Sequence, residues 1–301
     1  MRVFITGATG WIGSGTVDEL LASGHQVIGL ARSEESSRAL LAKGATALTG
    51  DLDDLDSLRR GVAMSDAVVH LANKHDWGNP DESDRAERAA VETMLTELAG
   101  SDRPFAIANG LSEIVEGRSV LETDASPAHG PASDRGGSEN LALEYADRGV
   151  RSMATRFAPS VHGAGDWGFV TWLVAAARKH GVSGYIGDGT TSWSAVHRTD
   201  AARLIRLGLE LAPAGSRLHA VAEESIPTRV IAEAISGALD IPVASIEPDD
   251  ADEHFGVVGH FFSQSMTGSS EITRSLVGWD PDGPTLLEDI RSGAYTTETA
   301  K

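Results

Sequence analysis

Three short stretches hold residues whose types and spacing could do chemistry. "TGATGWIG" sets Gly7, Gly10 and Gly13 three apart. "NKHDW" puts Lys74, His75, Asp76 and Trp77 side by side, in a chain whose other lysines are Lys43, Lys179 and Lys301. "DRGGSENLA", at 134–142, sets Arg135 and Glu139 four apart. Glycines spaced like the first set let a backbone come close to a pyrophosphate. A histidine next to an acid can move a proton near neutral pH. An i, i+4 Arg–Glu pair on a solvated helix face is worth only about 0.2–0.5 kcal/mol and needs no function to explain it.

The elements that must position these groups alternate. "RVFIT" reads as a buried strand that ends in the glycine turn. Residues 11–23 read as an amphipathic helix and "HQVIGLA" as a second strand. Helices at 34–42 and 55–61, strands near 45–48 and at "DAVVHLA", a long helix at 82–100 and the strand "PFAIAN" follow. A helix from 134 to about Arg148 leads to the strand "RSMATRF". Beyond residue 160, helices at 167–180, 199–211 and 227–238 are separated by loops with Gly and Pro. Alternating strands and helices imply right-handed crossovers. The fold class is therefore α/β: a Rossmann-type doubly wound parallel sheet with a smaller C-terminal substrate-binding cap. Residues 1–160 are expected to form the dinucleotide-binding core. Residues 161–301 are expected to form mainly the cap, with some segments returning to the core.

Composition excludes several classes of function. A chain of 301 residues, 41% hydrophobic and 23% charged, can bury a globular core. No run approaches 18 apolar residues, so no membrane span is expected. The opening "MRVFITGATG" lacks the apolar core and cleavage site of a secretory signal, which points to the cytoplasm. The absence of cysteine excludes disulfides, thiolate metal sites and a cysteine nucleophile. A formal net charge of −19 argues against nucleic acid as a partner. The scattered histidines lack metal-ligand spacing, so no metal is expected.

The glycine triad stands between a strand and a helix, the context a dinucleotide site requires. The first glycine makes the turn, the second admits the pyrophosphate and the third lets helix pack on strand. An NAD site keeps an acid at the end of the second strand to hold the ribose 2′-hydroxyl. Here "GLARS" supplies Arg32 and then Ser33. A guanidinium can clamp a 2′-phosphate, so NADP(H) is expected over NAD(H). "GDLDD" offers Asp51 and Leu52 to the adenine, and "HLAN" offers the backbone of Leu71, Ala72 and Asn73 to the ribose.

"TGATGWIG", "GDLDD", "VVHLA", "TRFAPSVHGAGD" and "SAVHRTDAARL" together resemble the extended short-chain dehydrogenase/reductases, a superfamily of NAD(P)-dependent epimerases, dehydratases and reductases. "NKHDWGNP" and "EHFGVVGHF" resemble an atypical, epimerase/dehydratase-like subgroup. The resemblance implies that Thr9, Trp11 and Ile12 in the turn, and Phe157, Ala158 and Val161 after the sixth core strand, line the cofactor. It also implies a Tyr-x-x-x-Lys dyad on the helix after strand five. Matching Ser138-Glu139 to the family's Ser-Lys puts Arg135 at the tyrosine place and Glu139 at the lysine place. Tyr145 is the only tyrosine on that helix, and Gly149 stands four residues later. Where the family has Ser or Thr after strand five, this chain has Asn109 and Gly110, with Ser112 slightly beyond. Glu139 is expected to face the nicotinamide ribose. It cannot lower a phenol's pKa, because a negative neighbour disfavours ionisation.

The proton for a carbonyl reduction must then come from elsewhere. His75, tuned by Asp76 or Lys74, is the expected donor. Lys74, Trp77, His162, Phe169, Trp193, His197, His254 and Phe255 are the expected substrate contacts, and their aromatics suggest an apolar or aromatic substrate. The expected function is an atypical NADPH-dependent reductase of a small carbonyl or conjugated compound. An epimerase, dehydratase or isomerase is the first alternative, and a non-catalytic dinucleotide sensor is the second. A homodimer through core helices is a further expectation.

Overall fold

The computed structural model describes residues 1–74, 76 and 78–296. Two expected site residues, His75 and Trp77, lie outside the described residues. The first half alternates as β1 (Arg2–Thr6), α1 (Trp11–Ala22), β2 (Gln26–Ala31), α2 (Glu34–Ala42), β3 (Thr46–Thr49), α3 (Leu55–Ala63), β4 (Ala67–His70), α4 (Pro80–Leu98) and β5 (Pro104–Gly110). Then come α5 (Ser138–Glu144), β6 (Arg151–Phe157), β7 (Ser160–His162), α6 (Phe169–His180), β8 (Ser183–Ile186), β9 (Ser192–His197), α7 (Arg198–Leu211) and β10 (Ser216–Ala220). The chain continues through β11 (Glu223–Pro227), α8 (Thr228–Leu239), β12 (Val243–Ile246), α9 (Ala251–Phe255), α10 (Val257–Phe262), α11 (Glu271–Val277) and α12 (Leu286–Ser292).

Seven strands form one parallel sheet in the order β10-β6-β5-β4-β1-β2-β3. Alternation along β1 shows why both faces must be covered. Val3 and Ile5 join the apolar layer of α1 and α7, while Phe4 joins the opposite layer of α3, α4 and α5. A separate core built from α6, α8, α9, α10 and α12 gathers around Trp193 and Phe262. Residues 161–301 serve both bodies, since β10 completes the seven-stranded sheet and α7 packs on α1. The short strands β7, β8, β9, β11 and β12 form two small sheets of their own. No helix among the described residues is long and apolar enough to cross a membrane.

One local expectation is corrected. The stretch 134–148 is not a single helix, because Arg135, Gly136 and Gly137 all have left-handed φ values of 52°, 60° and 63°. A Cβ on Gly136 would lie 2.7 Å from the Asp84 carbonyl oxygen, and one on Gly137 would lie 2.7 Å from the Gly130 nitrogen. The glycines admit a close approach that a right-handed helix start would not make. Helix α5 therefore begins at Ser138, and Arg135 does not share a helical face with Glu139.

Candidate functional site

The glycine turn is built by contact as well as by conformation. Gly7 has φ 70°, and a Cβ there would lie 2.7 Å from the Ala72 nitrogen. A Cβ on Gly13 would lie 2.0 Å from the Gly7 carbonyl oxygen. Gly10 differs: it is extended, with φ −70°, and a Cβ would meet only the Gly7 oxygen, at 3.2 Å. Its open side faces the start of α1, which has no acidic residue in its first turn and no side-chain cap. Free N–H groups and the positive helix end make that place fit a pyrophosphate. The turn is anchored on both sides. The Trp11 indole N–H donates to the Val161 carbonyl at 2.7 Å, and the Arg198 guanidinium lies 4.3 Å over the indole ring. Beneath the turn, the Thr6 hydroxyl accepts from the Ala72 N–H and lies 2.8 Å from His70 Nδ1. Burial, and then the Arg135 charge, push His70 down to about 3, so it holds this junction as a neutral ring.

The expected adenosine contacts lie on the β2–β3 side of the sheet. Arg32 leaves the end of β2 exposed, and no ion pair or hydrogen bond engages its guanidinium among the described residues. Ser33 caps α2 by accepting from the Ser36 N–H. Asp51 accepts from the Asp53 and Asp54 N–H groups, which shapes the loop after β3, and Leu52 is buried beneath it. Lys74 pairs with Asp53 at 2.9 Å and Glu82 at 3.6 Å, and the bond to Asp53 pushes its pKa up. Its charge is thus answered by Asp53 and Glu82. Exposed Asp76 accepts from the Gly78 N–H.

At the dyad place the two charges turn apart. Arg135 donates to both oxygens of the buried Glu87, at 2.6 and 3.1 Å, and the Asn73 amide donates to the same carboxylate. Glu139 is buried and accepts from Arg156 Nη2 at 2.5 Å, Arg156 Nε at 3.1 Å and the Asn109 amide at 2.5 Å. Arg217 lies 3.5 Å away, and Arg156 is itself 0% exposed. Burial alone would raise the Glu139 pKa. The hydrogen bonds and charge of Arg156, the Asn109 amide and the Arg217 charge more than offset this, and its carboxyl titrates below the usual range. Glu139 is therefore a fully engaged carboxylate, and Asn109 is held by it on one side and by the Gly110 N–H on the other.

Burial redirects several expected substrate contacts. Trp193 is 0% exposed and donates its indole N–H to the Phe261 carbonyl inside the cap core. His254 stacks on His180 and abuts Phe255, and both His254 and Phe255 are buried. His162 is also buried, with Nδ1 2.6 Å from Asp289. His197 caps α7, and its ring lies edge-on to His162. Trp193, His254 and Phe255 thus stand in interior packing, and His162 stands in a buried hydrogen bond with Asp289. Phe169 stays half-buried and stacks on Phe261 with ring centres 4.8 Å apart. Phe157 and Ala158 are buried at the end of β6. Exposed Ser112 lines an open cleft of about 640 Å³ with Glu113, Asp252, Gly256, Val257, His260, Phe261 and Gln264.

Sequence reasoning missed Glu87, Arg156, Arg217 and the buried His219, whose Nε2 lies 3.4 Å from Arg156 Nη1. The signal was present. Glu87 sits on the apolar face of α4, in step with Ala90, Val91 and Met94. Arg156 interrupts a strand that is otherwise buried throughout its second half. A charge in such a place requires a buried partner. Among the described residues no group of three or more acid or histidine side chains could hold a metal ion.

Comparison with known proteins places this geometry. The model of the NAD dependent epimerase/dehydratase family matches residues 3–119. An uncharacterized protein of Schizosaccharomyces pombe is 44% identical over 295 residues, covering 98% of this chain and 100% of that protein. A 4-hydroxy-2-methyl-3-oxo-4-farnesyl-3,4-dihydroquinoline-1-oxide ketoreductase of Stigmatella aurantiaca is 29% identical over 224 residues, 71% of this chain and 66% of that enzyme. The structure of a dTDP-glucose 4,6-dehydratase from Streptomyces venezuelae, with NAD and TYD bound, superposes with a TM-score of 0.79 at 20% identity. That match covers 99% of this chain and 98% of the other, and it shows a shared fold.

Proposed function

The chain belongs to the NAD dependent epimerase/dehydratase family of extended short-chain dehydrogenase/reductases and is an enzyme of that kind, and from that premise we propose that it is an NADPH-dependent reductase of small, partly apolar carbonyl or conjugated compounds. The observation that carries the reading is Arg32. It stands exposed and unengaged at the end of β2, where an NAD site keeps an acid. When bound, NADPH supplies the hydride. The residues of this chain bind, orient and shield. The α1 N-terminus and Gly10 take the pyrophosphate, Arg32 takes the 2′-phosphate, and the backbone after β4 and β6 flanks the two riboses. Glu139 acts through Asn109 and Arg156, as the buried counter-charge that fixes the end of β5 beside the nicotinamide. Its expected direct hold on the ribose gives way to this positioning role. The proton is assigned to His75 on sequence grounds. The ketoreductase name of the Stigmatella relative supports the reductive direction.

The cofactor part is tested by titration. Wild-type protein is expected to bind NADPH at least about tenfold more tightly than NADH, as a charge-assisted bidentate contact would give. Arg32→Ala should bring the two affinities within about threefold, mainly by weakening NADPH. Equal wild-type affinity for both cofactors would remove the reading.

A further inference from the structure

The cleft of about 640 Å³ beyond β5 has two walls. One is the loop after β5, with Ser112 and Glu113. The other is the kinked pair α9–α10, with Asp252, Gly256, Val257, His260, Phe261 and Gln264. Gly256, at φ 63°, makes the kink and turns Val257 outward to 58% exposure. Phe261 carries the apolar wall inward to Phe169, which abuts Trp172 and Trp193. Opposite, Glu113 is a non-glycine residue held at φ 59°. Such a backbone is costly and clusters at ligand sites. The chain segments that form the two walls, 110–117 and 247–264, carry Glu113, Glu116, Glu247, Asp249, Asp250, Asp252 and Glu253 and no lysine or arginine. A cleft bordered by one sign of charge concentrates ligands of the other sign and repels its own.

We propose that this cleft is the substrate site and that Glu113 and Asp252 set its charge selectivity, admitting aromatic or apolar molecules in the order cationic, then uncharged, then anionic. The inference rests on the reductase reading and names its substrate class. It also separates this chain from enzymes acting on nucleoside diphosphate sugars, whose two phosphate charges would find no cationic side chain here among the described residues. Phe261 and Val257 supply the apolar flank, and Ser112, His260 and Gln264 supply hydrogen-bonding groups. His260 and Gln264 already lie 3.1 Å apart, one helical turn from each other.

The test uses one scaffold with three charges: 2-naphthaldehyde, its 6-carboxylate and its 6-trimethylammonium derivative. Each is titrated calorimetrically at low salt into the protein loaded with NADP⁺, which cannot reduce them, and NADPH oxidation is followed separately. The cation is expected to bind at least about tenfold more tightly than the anion, with the uncharged aldehyde between them. The span should shrink to less than about threefold in Glu113→Gln/Asp252→Asn, and also in wild type at about 0.5 M NaCl, where exposed charges are screened. An anion that binds as well as the cation, an order unchanged in the double variant, or failure of the cation to bind would overturn the inference. The expected order of binding without NADPH oxidation would uphold the charge selectivity and sink the reductase reading alone.

Discussion

Gly10→Val is expected to abolish NADPH binding, with affinity falling by at least about a hundredfold, while the protein stays folded. The two outcomes separate because of where the new atoms go. A Cβ at Gly10 meets only the Gly7 carbonyl oxygen, at 3.2 Å, and the backbone there is extended, so a side chain fits with a small adjustment. The remaining cost is about 1 kcal/mol, that of an apolar residue at a helix N-cap. The methyl groups project toward the open end of α1, into the volume the pyrophosphate needs. Gly13→Ala is the control with the opposite signature. Its Cβ would stand 2.0 Å from the Gly7 oxygen, so β1 and α1 must separate and the fold itself should be lost or severely destabilised. Melting curves with and without NADPH distinguish the two, since a ligand that binds the folded state raises the melting temperature. A Gly10→Val protein that still shows the wild-type shift would reduce the turn to a structural feature.

Glu139→Ala is expected to cost about 3–5 kcal/mol, the usual penalty for stripping one partner from a buried ion pair. It would leave Arg156, which is 0% exposed, without its bidentate acceptor and Arg217 without its nearest carboxylate. In a chain of this size that corresponds to a fall of roughly 5–8 °C in melting temperature. The pH dependence has a definite sign. The Glu139 pKa is lowered in the fold from its ordinary 4.5, so its stabilisation is present above that value and lost as pH falls below it. Wild type should therefore lose more stability than Glu139→Ala on acidification through that region. Glu139→Leu combined with Arg156→Met should recover much of the loss, because an apolar pair removes both charges together. If Glu139→Gln instead leaves the melting temperature unchanged and weakens NADPH alone, the carboxylate serves the ribose directly and the positioning role is wrong.

The same residues show which parts of the molecule the sequence made legible. Strands β1, β2, β4, β5 and β6 are short apolar runs punctuated by Gly, Asn or Asp, and their order follows from alternation with helices. The glycine turn was legible because Gly7 and Gly13 answer local steric demands and Gly10 completes the spacing between strand and helix. Arg135 and Glu139 were not. Their spacing matches a helical turn, but Gly136 and Gly137 take left-handed conformations packed against Asp84, some fifty residues earlier, and against Gly130 of the preceding loop. Once that turn is made, each charge reaches a different buried partner, Glu87 on α4 and Arg156 on β6. The small sheets of the cap escaped for a related reason. β7 and β12 are three and four residues long and gain their stability from strands far along the chain. His162 and Trp193 looked like site residues because histidine and tryptophan so often are. Their burial is decided by α12 and by the α10 backbone that packs on them.

Hydride delivery from NADPH to a carbonyl held in the cleft beyond β5 can be followed directly with an isotope. The most direct measurement is transfer of deuterium from NADPH deuterated at C4 of the nicotinamide. The protein is incubated with each C4 epimer of the labelled cofactor and with uncharged and cationic aromatic aldehydes, ketones and enones, and the products are read by mass spectrometry. One epimer, and not the other, is expected to place deuterium on the carbonyl or β-carbon of the product, and Gly10→Val is expected to abolish the transfer. Tight NADPH binding with no deuterium in any product from either epimer would contradict hydride delivery.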